Sequence, residues 1–327
     1  MAQKLKKYVK LGKPVRERAK RVADMRRQRI NEERQRLNLS MQASLIPAFA
    51  HGKPLPLLST LLLGLGVLAT LLLGLGVLAR SASPGWAAPA CELGKGYVAI
   101  DASQQLGEDF LRKIKGAGIA TIIRFYDWTS ETLPGKTLTM RELRLIAALD
   151  LSVAVIFQHN NDCLCTFMTK GRGRRDAQRA LELAKTFSQP AGSAVYFGVD
   201  GVDAQFLALL AATDLPSGEP QAKKFVHKYV RSYFGEVASV MKSSGYKIGA
   251  YGSGLVCSYL LDEKLVQFCW LANATSWPGY QAFEASNRWV LKQHLPTPKA
   301  DCFGVEVDLN SGNGSADDFG QWKPKSF

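Results

Sequence analysis

The sequence predicts an α/β protein whose main domain is a (β/α)8 barrel of the TIM type, preceded by a basic arm and one apolar helix. Three observations lead to this prediction. Over most of the chain, short apolar runs alternate with helix-like segments, as they do in parallel βα units. Eight such runs are present, the number that a closed barrel of this type needs. Ahead of them stand a strongly cationic segment and an uninterrupted apolar run.

The basic arm covers residues 1–54. Residues 1–53 hold 15 Lys and Arg against four acidic residues, so +11 of the net charge of +14 lies there. Charge confined to one end indicates an address or a surface-contact segment, and no nucleic-acid partner is expected. The arm is either a basic helix lying near anionic lipid or a solvated arm without fixed structure.

Residues 55–79 form the predicted transmembrane or signal-anchor helix, whose core repeats TLLLGLGVLA at 60–69 and 70–79. An apolar run of about 20 residues is long enough to cross the ~30 Å hydrocarbon core. Cations are dense before this run and sparse after it, which places residues 1–54 in the cytoplasm and the later residues across the membrane. Small residues at 88–90 also suit a cleavage site. The expected location is therefore the cytoplasmic membrane with an extracytoplasmic barrel, or secreted or periplasmic if the segment is cleaved.

Residues 80–94 are rich in Ser, Ala, Pro and Gly and are predicted to be a linker, with the barrel domain over 95–327. The predicted strands are 97–102, 120–126, 152–158, 194–200, 247–251, 268–272, 289–293 and 305–309. The predicted helices lie near 105–117, 140–149, 173–187, 220–244 and 254–265. Thr139 and Glu142 have the spacing of a capping box at the second helix. An open doubly wound sheet is the alternative, but the first strand is followed by Asp101-Ala102-Ser103 and not by a Gly-rich turn.

Polar side chains stand at or near the ends of seven predicted strands. The carboxyl ends of the strands in a βα barrel meet at one mouth, so these side chains are expected to share a cleft. Any one of them could instead be a turn or cap residue, and it is the recurrence that favours a site. The candidates are Asp101, Arg124, Tyr126, Gln158, Asp200, Tyr251, Gln293 and Asp308.

Five motifs follow one another in a fixed order: GYVAIDAS (96–103), IIRFY (122–126), AVYFGVD (194–200), GYKIGAYG (245–252) and VDLN (307–310). With these motifs, residues 95–312 resemble the glycoside-hydrolase-like domains of unknown function found in exported bacterial proteins, which are distantly similar to muramidase (lysozyme-type) barrels. The resemblance implies a TIM-type barrel, an extracytoplasmic location and a cleft that faces carbohydrate.

The resemblance further implies hydrolysis of a cell-envelope glycan such as peptidoglycan by two carboxyl groups, one that donates a proton and one that is ionised. By their position at the strand ends, Asp101, Asp200 and Asp308 are the candidate catalytic residues. The substrate-binding residues are expected to be Arg124, Tyr126, Gln158, Asp203, Tyr251, Trp270 and Gln293.

One departure from muramidase barrels concerns the proton donor. Those barrels carry Asp-x-Glu at the end of the fourth strand, with Glu as the donor, whereas this chain reads Asp200-Gly201-Val202-Asp203. Asp200 or Asp203 would then have to donate the proton. Two other function classes stay open: a glycan-binding barrel without catalysis, in which Trp128, Trp270 and Trp277 stack on sugars, and a membrane-tethered structural domain.

No cofactor and no metal is expected. His159, Cys163 and Cys165 in HNNDCLC lack the spacing of a zinc site. Six cysteines suit an oxidising compartment, and Cys163 and Cys165 are expected to be too close to pair with each other. The run KGRGRR (170–175) is either a solvated cationic loop or an anion site at a helix N-terminus.

Overall fold

Eight strands close into a barrel in the described part of the computed structural model, which comprises residues 96–128, 135–211, 216–294, 305, 307–314 and 318–325. The strands are β1 (Tyr97–Asp101), β2 (Thr121–Tyr126), β3 (Ser152–Phe157), β4 (Ala194–Gly198), β5 (Lys247–Gly252), β6 (Phe268–Leu271), β7 (Leu291–His294) and β8 (Asp308–Gly312). They are hydrogen-bonded in chain order, and β8 pairs with β1. The predicted closed α/β barrel is thus confirmed, and the open sheet is excluded.

The last strand departs from the predicted (β/α)8 pattern. Strands β1 to β7 pair in parallel, but β8 runs antiparallel to both β7 and β1. The prediction of eight parallel βα units was therefore wrong in its last unit. The physical reason lies in the composition of β8, DLNSG, which is too polar for a strand buried on both faces, as parallel strands are.

Helices cover the outside of the barrel. They are α1 (Glu108–Gly116), α2 (Met140–Ala148), α3 (Leu164–Met168), α4 (Arg172–Thr186), α5 (Val202–Ala211), α6 (Glu219–Phe225), α7 (Arg231–Met241), α8 (Gly254–Asp262) and α9 (Tyr280–Ala285). The predicted helix at 220–244 is α6 and α7 joined by a π-helical turn at Val226–Val230. The predicted cap at α2 is confirmed, since the Thr139 hydroxyl accepts a hydrogen bond from the Glu142 backbone N–H at 3.2 Å.

Two apolar layers follow from the alternation of side chains along the strands. One face of each strand points into the barrel, where mostly small and aromatic residues pack together: Ala99, Ile123, Phe125, Ala154, Ile156, Tyr196 and Trp270. The other face packs on the helices, with Ile100, Ile122, Val153, Val155, Val195 and Phe197. Because consecutive residues alternate between these layers, a polar residue reaches the interior only at the inward positions.

Residues 318–325 close the end of the barrel opposite its mouth. Trp322 forms a bridge with Val153 at the start of β3, and the backbone N–H of Ala194 donates to the Gly320 carbonyl oxygen at 2.9 Å. The Tyr196 hydroxyl, inside the barrel, donates to the Phe319 carbonyl oxygen at 2.7 Å. The tail therefore forms the floor of the interior.

Cys163 and Cys165 form a disulfide, which corrects the prediction that each needs a distant partner. The chain is extended at Cys163 and enters α3 directly after it. This holds the two Cα atoms 5.1 Å apart, within the range that disulfides require. Cys257 and Cys269 are buried free thiols.

The predicted basic arm (1–54), apolar helix (55–79) and linker (80–94) lie outside the described residues. Within the ranges that the structure describes, none of the helices has the length and apolar character needed to cross a membrane. The membrane segment thus stays a prediction.

Candidate active site

A cavity of about 200 Å³ opens at the mouth of the barrel. Its lining includes seven of the predicted site residues, one from each of seven strands or from the residues just after the strand: Asp101, Gln158, Asp200, Tyr251, Trp270, Gln293 and Asp308. Ser103, Phe125, Ile156 and Val307 complete the lining. Strand ends thus converge here, although the residues are spread over the whole domain.

The antiparallel course of β8 explains how Asp308 reaches the mouth. Asp101 is the last residue of β1 and Asp308 is the first residue of β8, and the two are cross-strand partners. Asp200 follows β4, which lies across the closed barrel from β8. Carboxylates therefore stand on opposite walls of the cavity.

One amide group connects Asp101 and Asp308. The Gln293 side-chain nitrogen Nε2 lies 2.9 Å from Asp308 Oδ2 and 3.3 Å from Asp101 Oδ2. The Tyr251 hydroxyl donates to Gln293 Oε1 at 2.8 Å, which fixes the orientation of the amide. Asn310 Nδ2 also donates to Asp101 Oδ2, at 2.8 Å. Asp101 is consequently held by two amides beside a second carboxylate.

This environment raises the pKa of Asp101 from 3.8 to about 7. Burial is the largest cause, because a buried carboxyl loses the hydration of its charged form, and the negative charge of Asp308 is the second. The hydrogen bonds from Asn310 and Gln293 and the charge of Arg124 act in the opposite direction. Asp101 is thus a carboxyl group that holds a proton close to neutral pH.

The opposite wall is built around Asp200. Gln158 Nε2 donates to Asp200 Oδ2 at 3.3 Å, and the Asp200 backbone N–H donates to the Asn161 carbonyl oxygen at 3.0 Å. Asn161 is itself fixed, because its side-chain nitrogen donates to the Gly198 carbonyl oxygen at 2.7 Å. The loop after β3 therefore positions the carboxylate that follows β4.

The sequence profile of the Rv2525c-like, glycoside hydrolase-like domain matches residues 112–317. The chain belongs to this family. The resemblance proposed from the five motifs is thereby confirmed, and none of the curated proteins matches the chain.

Solved structures with this barrel include two crystal forms of Rv2525c, a Tat-secreted protein of Mycobacterium tuberculosis. The complex with HEPES is 20% identical, has a TM-score of 0.51 and covers 69% of this chain and 98% of its own. The complex with L-tartrate is 19% identical, with a TM-score of 0.51, and covers 70% of this chain and all of its own. The autolysin LytC of Streptococcus pneumoniae, solved with a synthetic peptidoglycan ligand, is 14% identical, has a TM-score of 0.39 and covers 67% of this chain and 47% of its own.

In this Rv2525c-like domain, Arg124 and Tyr126 do not line the cavity, contrary to the prediction. They alternate along β2 with Ile123 and Phe125, which point into the barrel, so they face the helices. Arg124 is fully buried, where its Nε donates to Glu142 Oε1 at 2.8 Å. The Tyr126 hydroxyl donates to Gln189 Oε1 at 3.1 Å. Both side chains hold the outer layer together.

Asp203 is also outside the cavity. It lies in the first turn of α5, fully buried, and its Oδ2 accepts a hydrogen bond from the Ser253 hydroxyl at 2.5 Å. Burial raises the pKa of Asp203. Its carboxyl has no access to a ligand in the cavity, so of the two candidate donors in Asp200-Gly201-Val202-Asp203 only Asp200 lines the site.

Asn310 is the polar contact of Asp101 that the predicted site residues did not include. It lies two positions after Asp308 on the same strand face, and its Oδ1 accepts a hydrogen bond from Trp270 Nε1 at 2.8 Å. The two-residue period of a strand is the signal that could have found it.

The KGRGRR run does not present an open anion site. The backbone N–H groups of Gly171 and Arg174, at the start of α4, donate to the carboxylate of Glu236 at 2.9 and 3.3 Å. A carboxylate of the same chain therefore occupies the place that an anion would take.

Proposed function

We propose that this domain is an exported glycoside hydrolase that acts on a cell-envelope glycan such as peptidoglycan by carboxyl acid/base hydrolysis. The observation that carries the proposal is the pair of Asp101 and Asp308 on one amide group, with the pKa of Asp101 raised to about 7. The glycoside hydrolase-like character of the family supports the same class of reaction.

In the proposed reaction, Asp101 donates a proton to the oxygen of the leaving sugar. A general acid works best when its pKa is near the working pH, which ordinary aspartates do not achieve. Burial and, second, the Asp308 carboxylate keep the proton on Asp101, and the Gln293 amide orients both carboxyl groups. Asp200, on the opposite wall, is the ionised carboxylate that stabilises the oxocarbenium-like transition state or activates water.

Glycan binding without hydrolysis is the second candidate, and one observation favours it. Val202 stands where muramidase barrels carry the donor Glu, and its side chain is fully buried in α5. A barrel that has lost that donor could keep its carbohydrate cleft as a binding site.

The location of the protein is part of the proposal. The cavity would lie outside the cytoplasm, in a barrel (95–327) that follows the arm (1–54), the membrane or signal segment (55–79) and the linker (80–94). The charge asymmetry of the sequence supports this arrangement, and so does the description of Rv2525c as Tat-secreted. Polysaccharide would be the partner of the barrel, and lipid the partner of the first two segments.

Incubating the full chain with peptidoglycan and measuring new reducing ends tests hydrolysis. Loss of a general acid lowers rates by about 10²–10⁴-fold, so Asp101→Asn is expected to abolish most of the signal, and Asp200→Asn to do the same. Asp150→Asn is the matched control, because this carboxyl is 70% exposed and precedes β3, at the opposite end of the barrel. Cleavage that persists in Asp101→Asn would refute the proposed acid, and binding without cleavage would favour the second candidate.

A further inference from the structure

We propose that Trp128, Lys136 and His159 form a second saccharide site on the rim of the mouth, next to the cavity. We call these three residues the rim cluster. The inference rests on the proposed glycan function and extends it, because it assigns residues outside the cavity to the binding of a neighbouring sugar unit of the glycan.

Trp128 is the apolar part of the rim cluster. It is 40% exposed and is the one large hydrophobic side chain that is exposed within the described ranges. Its indole Nε1 donates to Asp176 Oδ1 at 2.7 Å. Asp176 is fully buried and is held in turn by Arg172 Nε and by the Tyr233 hydroxyl, at 2.7 and 2.8 Å. An exposed indole anchored in this way is a rigid surface, so a ligand can stack on it with little loss of side-chain entropy.

Lys136 joins the rim cluster to the cavity. Its ammonium lies 4.9 Å from the centre of the Phe125 ring and donates to the Gln158 carbonyl oxygen at 2.9 Å. Phe125 and Gln158 both line the cavity. Lys136 therefore stands at the edge of the cavity, on the side that leads to Trp128.

Asp127 holds the three members together. Its Oδ1 accepts a hydrogen bond from the Trp128 backbone N–H at 2.6 Å and lies 2.5 Å from His159 Nδ1. Its other oxygen, Oδ2, lies 3.5 Å from Lys136 Nζ. The carboxylate is buried, whereas His159 and Lys136 keep 20% and 15% of their side chains exposed. Because Asp127 binds Nδ1 of His159, the second ring nitrogen is the one that can meet a ligand.

The chemistry of this arrangement fits a sugar ring. A pyranose has a C–H face that stacks on an indole and oxygen atoms at its edge that accept hydrogen bonds from an ammonium and an imidazole. An anionic aromatic ligand such as a nucleotide fits less well, because the adjacent cavity carries three carboxyl groups. The occupant is therefore the sugar unit next to the one bound in the cavity.

The test compares ligands of increasing length. Binding of N-acetylglucosamine and of peptidoglycan di- and tetrasaccharides to the full chain is measured by isothermal titration calorimetry. We expect the oligosaccharides to bind about tenfold more tightly than the single sugar, in line with one added aromatic contact and its hydrogen bonds. Trp128→Ala is expected to remove that gain and to leave the affinity for the single sugar within about twofold.

Two further variants complete the test. Trp128→Phe keeps an aromatic ring but loses the bond to Asp176, so an intermediate gain is expected. Tyr259→Ala removes a partly buried ring on α8 that contacts His227, away from the mouth, and should keep the full gain. A Trp128→Ala protein that melts normally and still gains affinity with ligand length would overturn the rim site alone. Failure of the wild type to bind any of the saccharides would overturn the proposed function as well.

Discussion

Replacing Asp101 by Asn should make the protein more stable at alkaline pH, although the same change removes the proposed acid. The folded state raises the pKa of Asp101 from 3.8 to about 7, so the folded protein binds this proton more tightly than the unfolded chain does. Stability from this group is therefore present at low pH and is lost as the pH rises from about 4 through 7. The full shift corresponds to on the order of 4 kcal/mol, and more than half of it falls between pH 5 and pH 8.

Asn is nearly the same shape and keeps one oxygen for the amides of Gln293 and Asn310, while it removes the charge that faces Asp308. Urea unfolding of the wild type and the variant at pH 5, 6, 7 and 8 measures the difference directly. We expect the free energy of unfolding of Asp101→Asn relative to wild type to rise by roughly 2–3 kcal/mol from pH 5 to pH 8. Asp150→Asn should show no such trend. A constant difference between Asp101→Asn and wild type across this range would refute the raised pKa.

Three other predictions concern separate parts of the structure. In an activity assay, Asp308→Asn should move the alkaline limb of the pH profile to lower pH, because it removes a charge that raises the pKa of Asp101. Gln293→Met should move that limb to higher pH, because it removes a hydrogen bond that lowers the same pKa. In thermal or urea unfolding, Gly173→Ala should lower the free energy of unfolding by about 1–3 kcal/mol, because the added Cβ would lie 2.2 Å from a backbone oxygen of α7. Gly235→Ala adds a Cβ with no atom within 4 Å and should raise the free energy of unfolding by up to about 1 kcal/mol. Arg124→Met should destabilise by about 3 kcal/mol or more in the same assay, because it leaves Glu142 buried without its cation; a loss below about 1 kcal/mol would contradict the importance of this pair.

Much of the barrel was accessible from the sequence because its strands are short apolar runs with long helices between them. The shortest helices were missed: α3 and α9 have five and six residues, too few to show a helical period. The helix α5 was missed for another reason. Its sequence, VDAQFLALLA, is apolar at most positions, so it has no polar face that would reveal the period.

The candidate site was predictable as a set of strand ends but not in its details. Which alternate residues of a strand point inward depends on its register with the neighbouring strand. Asp101 pairs laterally with Ile123, which sends Arg124 outward, and no feature of IIRFY itself contains that information. The raised pKa of Asp101 was likewise hidden from the sequence. Its causes are burial in the closed barrel and, second, the charge of Asp308, which lies far along the chain and reaches the same mouth only when β8 turns back.

The direction of β8 also determines the face of the barrel from which the chain leaves the domain. Strand β1 starts at the floor of the barrel, and β8 ends there, followed by the segment at 318–325 that packs beneath β3 and β4. Both ends of the described barrel therefore leave from the face that is turned away from the cavity. A barrel held at residue 96 or at residue 325 would present its mouth to the solution, so long polymers could reach the carboxyl groups without passing the support.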